Sequence, residues 1–246
     1  MKWILMAWLV ACCSAAVKQA VAETVDLELV FLADASRSID ESEIRFQRQG
    51  YASAINHPEV LAAIAAGRYR RIAVTYVEWG DAASQDVVVP WRMIDGSGSA
   101  RAFAAALMEA PRRADGGNAI GSAIAAAHAL LDGNAYDGTR RVIDFSGDSA
   151  NSFSGPPIAV AREKALTAGI VINGLAVLCL TCSGPPVSYD LAEAFRRTII
   201  GGPGSFVITA DANARFTDSV RRKLLLELSE TAFPATSSVL GEARSR

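Results

Sequence analysis

Residues 31–40, "FLADASRSID", run a hydrophobic segment directly into Asp34, Ser36 and Ser38, three oxygen-bearing side chains separated by Ala35 and Arg37. In an extended segment side chains alternate between two sides, so both serine hydroxyls face one way while Ala35 and Arg37 face the other. Two readings of such a strand end are open: a solvated turn, or a site for a hard cation. What the rest of the chain brings to the same place decides between them.

Outward from this stretch, short β-branched runs alternate with longer Ala- and Leu-rich segments, the pattern of an α/β domain with a largely parallel sheet. Strands are predicted at 27–33, 71–79, 86–91, 140–146, 170–177 and 205–209. Helical segments fill the gaps at 40–56, 100–109, 118–131, 157–168, 189–200 and 212–229, with a short turn near 59–65. "GDAAS", between the second and third strands, is too short for a crossover helix and joins neighbours as a hairpin. The expected fold is therefore doubly wound α/β: a mostly parallel six-stranded sheet with one antiparallel edge strand and helices on both faces. In "DESEIRFQRQGYASAI", Asp40 and Glu43 have the spacing of a capping pair, and Ile44, Tyr51 and Ile55 repeat near helical spacing. "AIGSAIAAAHALL" is small and apolar nearly all round, which predicts a helix buried against the sheet, with His128 a core or boundary residue.

In such a sheet the loops at the carboxyl ends of parallel strands converge on one edge. Three of them carry oxygen ligands: Asp34 to Ser38, "DGGNAIGSAI" at 115–124, and "DFSGDSAN" at 144–151. Together they offer Asp34, Ser36, Ser38, Asn118 and Asp148, two carboxylates, two hydroxyls and an amide. That set suits Mg²⁺, Mn²⁺ or Ca²⁺, and does not suit zinc or copper. It also leaves a coordination position for water or for a partner's carboxylate. Each loop has a plainer reading as well: a turn at the first, and a helix N-cap at Asn118. Asp144, a residue within the fourth strand, is expected on the opposite face.

These residues resemble a von Willebrand factor type A domain, over roughly residues 25–229. Its metal-ion-dependent adhesion site uses a D-x-S-x-S first loop, a threonine in a second loop and an aspartate in a third. Asp34, Ser36 and Ser38 match the first element, with Ile39 following. Asn118 in "GGNAIG" stands in the threonine's place, and Ser146-Gly147-Asp148 stands where the family commonly has T-D-G. "RRVIDFSGDSAN" is similar to a group of uncharacterised bacterial members. The resemblance implies a protein-binding module in which the cation meets an acidic residue on a protein partner. The competing reading is a metal-assisted, phosphatase-like hydrolase with Asp34 as nucleophile. Such enzymes pair the aspartate with a second carboxylate two residues on, where this chain has Ser36, and neither lysine nor histidine stands near these loops.

At 51% hydrophobic and 20% charged, the 246-residue chain suits one globular domain, and its net charge of -2 without a long basic cluster argues against a nucleic-acid partner. The pairs Arg70-Arg71, Arg112-Arg113 and Arg140-Arg141 are expected at solvated strand edges. Residues 1–22 have the layout of a secretory signal: Lys2, an apolar run of about 15, and "AVA" before Glu23. That run is short of the roughly 20 residues a membrane span needs. A domain over 23–230 and a flexible tail over 231–246 are expected, the product being periplasmic or secreted. "LVAC" at Cys12 keeps open a lipid anchor, the one route to a membrane. Cleavage at Ala22 would leave Cys179 and Cys182 alone of the four cysteines, and an oxidising compartment favours a disulfide between them over a redox or zinc site.

Overall fold

In the computed structural model, residues 22–178, 187–211 and 216–229 are described. A six-stranded sheet runs in the order β4-β3-β2-β6-β7-β8, formed by β2 (Glu28–Asp34), β3 (Ile72–Trp79), β4 (Gln85–Ile94), β6 (Arg141–Gly147), β7 (Val171–Leu178) and β8 (Val207–Asp211). All neighbours are parallel except β3 and β4, and β4 lies at the edge, as the short 80–84 connection requires. Every residue of β2 and β3 is buried, as expected for strands covered on both faces.

Alternation along β2 divides the core into two layers. Leu29 and Phe31 face α1 (Glu41–Ile55), α2 (Pro58–Ala66), α3 (Ser97–Glu109) and α7 (Phe216–Ser229). Val30 and Leu32 face α4 (Ile120–Asp132), α5 (Ile158–Thr167) and α6 (Leu191–Thr198). Helix α1 starts where the sequence indicates: the Asp40 carboxylate accepts from the Ser42 and Glu43 backbone N–H groups, and Glu43 accepts from the Asp40 N–H in return. Such a cap stabilises a helix by about 1 kcal/mol. Ile44, Tyr51 and Ile55 are all buried, and the Tyr51 ring tilts against Phe31 at 5.0 Å. Helix α4 buries Ile120, Ala123, Ile124, Ala127 and Leu131 but exposes Ala125 and Ala129, so it is covered on one side rather than all round. His128 is a boundary residue, 3.2 Å from Asp132.

Several features differ from expectation. A separate parallel pair, β1 (Glu23–Val25) with β5 (Tyr136–Gly138), was not predicted; three residues are too few for a periodicity to register. Helix α3 begins at Ser97 and β4 continues to Ile94. The 59–65 turn is a full helix, with His57 as its N-cap and Pro58 opening it. The arginine pairs are not merely solvated edges. Arg71 donates to the Thr24 carbonyl and pairs with Glu23 at 2.8 Å, and Arg140 donates to the Glu227 carbonyl at 2.8 Å. Beneath the sheet, Lys223 lies 2.7 Å from Asp144 and 2.6 Å from Glu227, all three fully buried. The expected signal segment short of Ala22, Cys179 and Cys182, and the tail lie outside the described residues, as do positions 212–215 of the last predicted helix.

Candidate metal centre

The first loop leaves the carboxyl end of β2 at the centre of the sheet. Ala35 N–H donates to the Trp79 carbonyl, which carries the strand one residue past Asp34 before it turns. One oxygen of the buried Asp34 carboxylate, Oδ1, accepts from the Ser36 N–H at 2.9 Å. The Ser36 and Ser38 hydroxyls lie 3.2 Å apart, turned the same way as expected, but Arg37, expected on the other side, lines the same cleft as Ser38 because the chain turns after Ala35. Ala35 and Ile39 pack instead with Ile44 and Ala114 below the loop.

The second loop is tied to the first by Arg37 N–H donating to the Gly116 carbonyl at 2.8 Å, and Gly116 takes a φ of 102°, which favours glycine. Asn118 is buried, but α4 begins at Ile120 with Ala119 as N-cap and no side-chain cap bond. Asn118 is thus not the cap. It lines a cleft of about 490 Å³ together with Ser38 and Asp148. The third loop passes Asp34 closely: a Cβ added at Gly147 would sit 3.2 Å from Asp34 Oδ2. The next residue, Asp148, accepts a hydrogen bond from the Ser38 side chain. Asp34, Ser36, Ser38 and Asp148 are therefore gathered at one point, with Asn118 on the same cleft. Asp144 lies on the opposite face, against Lys223.

Burial, and after it the charge of Asp148, pushes the Asp34 carboxyl up to about 7, against hydrogen bonds from Ser36 and from the Asp148 N–H. Burial likewise raises the Asp148 carboxyl, with the Ser38 hydrogen bond opposing. The buried Asp34 carboxyl, raised by that burial and by the charge of Asp148, and the half-buried Asp148, raised by its own burial, leave the site short of positive charge. The donors are carboxylates, hydroxyls and an amide, all hard, so the residues present fit a hard divalent cation. Among the described residues no group of three or more His, Cys, Asp or Glu side chains comes together to hold a metal, so the two carboxylates would need the hydroxyls and the amide beside them.

Sequence reasoning passed over the residues that hold the first loop from outside. Arg112 donates to the Ala35 carbonyl at 2.9 Å and to the Ala114 carbonyl at 3.2 Å, clamping the first loop to the start of the second. Gln47 of α1 donates to the Asp34 carbonyl at 3.3 Å. Contacts so distant in sequence leave no local pattern, and Arg112 reads simply as half of a basic pair.

Comparison with known proteins follows the same lines. The profile of a family described as "Protein of unknown function (DUF1194)" matches residues 24–232. No curated protein matches. Among solved structures, proximal thread matrix protein 1 from the mussel byssus, in a form with a zinc-occupied MIDAS motif, is 13% identical with a TM-score of 0.59 over 85% of this chain and 48% of that one. A von Willebrand factor type A protein from Catenulispora acidiphila is 13% identical, with a TM-score of 0.54 over 85% of this chain and 43% of that one. An aerotolerance-related membrane protein from Bacteroides fragilis is 17% identical, with a TM-score of 0.56 over 83% of this chain and 99% of that one. At such identities the likeness establishes a fold of the von Willebrand factor A type. The chain spans about half the length of the mussel protein.

Proposed function

The chain belongs to the DUF1194 family, and from that premise we propose that it is a metal-ion-dependent protein-binding module of the adhesion type. Ser36, Ser38 and Asn118 would hold a divalent cation, with Asp34 and Asp148 taking part directly or through water. Such an ion supplies a positive charge with an open coordination position, which an acidic side chain of a protein partner can fill. Mg²⁺ suits the site best, because it keeps several waters and needs few protein ligands. The observation that carries this reading is the gathering of the buried Asp34 carboxyl, the Ser36 and Ser38 hydroxyls and Asp148 at one point, with Asn118 on the same cleft. The zinc in the MIDAS motif of the mussel protein supports a divalent cation in this fold, and runs against the expectation that such a ligand set does not suit zinc.

The chain's own residues do the positioning. Arg112 and Gln47 fix the first-loop backbone, the Arg37 N–H ties it to the second loop, and Phe153 N–H donates to the Asn118 carbonyl at 2.7 Å, tying the second to the stretch after the third. We also propose export, on the layout of residues 1–22; N-terminal sequencing of the processed protein should begin at Glu23. No helix among the described residues is long and apolar enough to cross a membrane. Calorimetric titration with Mg²⁺ and Mn²⁺ tests the site: uptake by the wild type and none by Asp34→Ala is the expected result. A wild type that takes up neither ion at millimolar concentration would leave a metal-free scaffold.

A further inference from the structure

The cleft above the proposed cation site is larger than one carboxylate requires. Its volume of about 490 Å³ lies within the roughly 300–1,000 Å³ typical of ligand pockets. Its lining includes the polar Ser38, Asn118 and Asp148 of the proposed site, and also Phe153, Val187 and Tyr189. Phe153 is 75% exposed, more than any other large hydrophobic side chain among the described residues, although its own N–H is anchored to the Asn118 carbonyl. Tyr189 is half-exposed, and its hydroxyl accepts from the Ala150 N–H at 3.0 Å, which braces the third loop. A single exposed aromatic is ordinary. Two aromatics and a valine in one cleft with the polar site residues give it both polar and apolar lining.

Charge selects the occupant. With a divalent cation in place, that ion and Arg37 stand against Asp148 and the Asp34 carboxylate beneath it, a net positive charge, and Arg37 is the one basic residue among the described residues of the lining. An anionic group is drawn to the ion, and whatever is attached to it meets the aromatic lining. We infer that the partner is a protein segment in which the acidic residue meeting the cation is directly adjacent to an aromatic residue, whose ring packs on Phe153 and Tyr189. Offset or edge-to-face ring pairs favour such seating beyond the area they bury. The inference rests on the cation reading above, and the two can fail separately.

Two fluorescent peptides, identical but for Asp-Phe or Asp-Ser at their centre, are titrated by anisotropy against the wild type and Phe153→Ser, with Mg²⁺ or with chelator. Mg²⁺ uptake without peptide is measured in parallel by calorimetry. The wild type should bind the Asp-Phe peptide only with Mg²⁺, and about tenfold more tightly than the Asp-Ser peptide. Phe153→Ser keeps the backbone N–H that ties Asn118 and removes only the ring, so it should abolish that preference and leave Mg²⁺ uptake unchanged. If Mg²⁺ is taken up but the peptides bind equally, or neither binds, or the preference survives Phe153→Ser, the inference is overturned while the cation site stands. No Mg²⁺ uptake by the wild type overturns both.

Discussion

At Asp34 burial and charge oppose each other, and the opposition gives a sign that can be measured. The folded chain holds this proton up to about pH 7, against 3.8 for an ordinary aspartate. Between those values the native state binds more protons than the unfolded one, so cation-free stability falls as pH rises through that window and levels off above it. Asp144, also raised to about 7 by burial with Lys223 opposing, adds a fall in the same direction. Urea denaturation in chelator at pH 5, 6 and 7 should therefore show a shallower decline for Asp34→Asn than for the wild type; matching declines would contradict the assignment. Side-chain identity also separates the two central aspartates. Asp34→Ala and Asp148→Ala should lose Mg²⁺ binding with little loss of fold, since each relieves repulsion in the empty site, whereas Asp144→Ala should keep the affinity. Arg112 acts through the backbone. Removing a group that orients metal ligands typically weakens binding roughly 10–100-fold. Calorimetry on Arg112→Ala should show a loss of that order, and an unchanged affinity would mean the loop holds its shape without the clamp.

Among the elements, α7 is joined to the sheet by charge as well as by apolar packing. Lys223 sits between Asp144 of β6 and Glu227 one turn along its own helix, and Asn173 of β7 donates to Glu227 at 3.2 Å. Leu224 and Leu228 beside them belong to the main core. A buried ion group of this kind contributes modestly to stability when whole, but breaking it leaves uncompensated charge. Lys223→Met would bury two carboxylates with no cation between them, and it should cost about 3–5 kcal/mol in urea denaturation. The folded fraction should still take up Mg²⁺, because the ion group lies on the face of β6 away from the three loops. Arg48 makes a comparable pair with Glu78 at 2.7 Å, joining α1 to β3 one residue before the strand ends beside Asp34.

For the whole molecule, legibility followed the range of the interaction. The alternation of β-branched and Ala-rich segments was enough for six strands, their parallel sense and the antiparallel edge, because each rests on local patterning and connection length. The first-loop residues proposed for the cation were picked out for the same reason, as D-x-S-x-S lies within five residues. Asn118 and Asp148 could be picked out only by expecting strand ends to converge. Arg112, Gln47 and the Phe153 and Tyr189 rings were missed, because their roles exist only once distant loops meet. The β1–β5 pair and the buried Lys223 group escaped likewise; nothing local marks a lysine in an amphipathic helix as internal. If the convergence of three loops defines the site, ligation couples to global stability. An ion that binds only the folded state at a hundred times its dissociation constant adds about 2.7 kcal/mol. For a domain of this size each kcal/mol raises the midpoint by roughly 2–4 °C, so saturating Mg²⁺ should raise Tm by about 5–10 °C. Differential scanning calorimetry of the wild type and Asp34→Ala, with Mg²⁺ and with chelator, measures this. The wild-type rise should be absent in Asp34→Ala, whose Tm in chelator should equal or exceed that of the wild type. An equal Mg²⁺ response in the two proteins would place the stabilising ion somewhere other than the three loops.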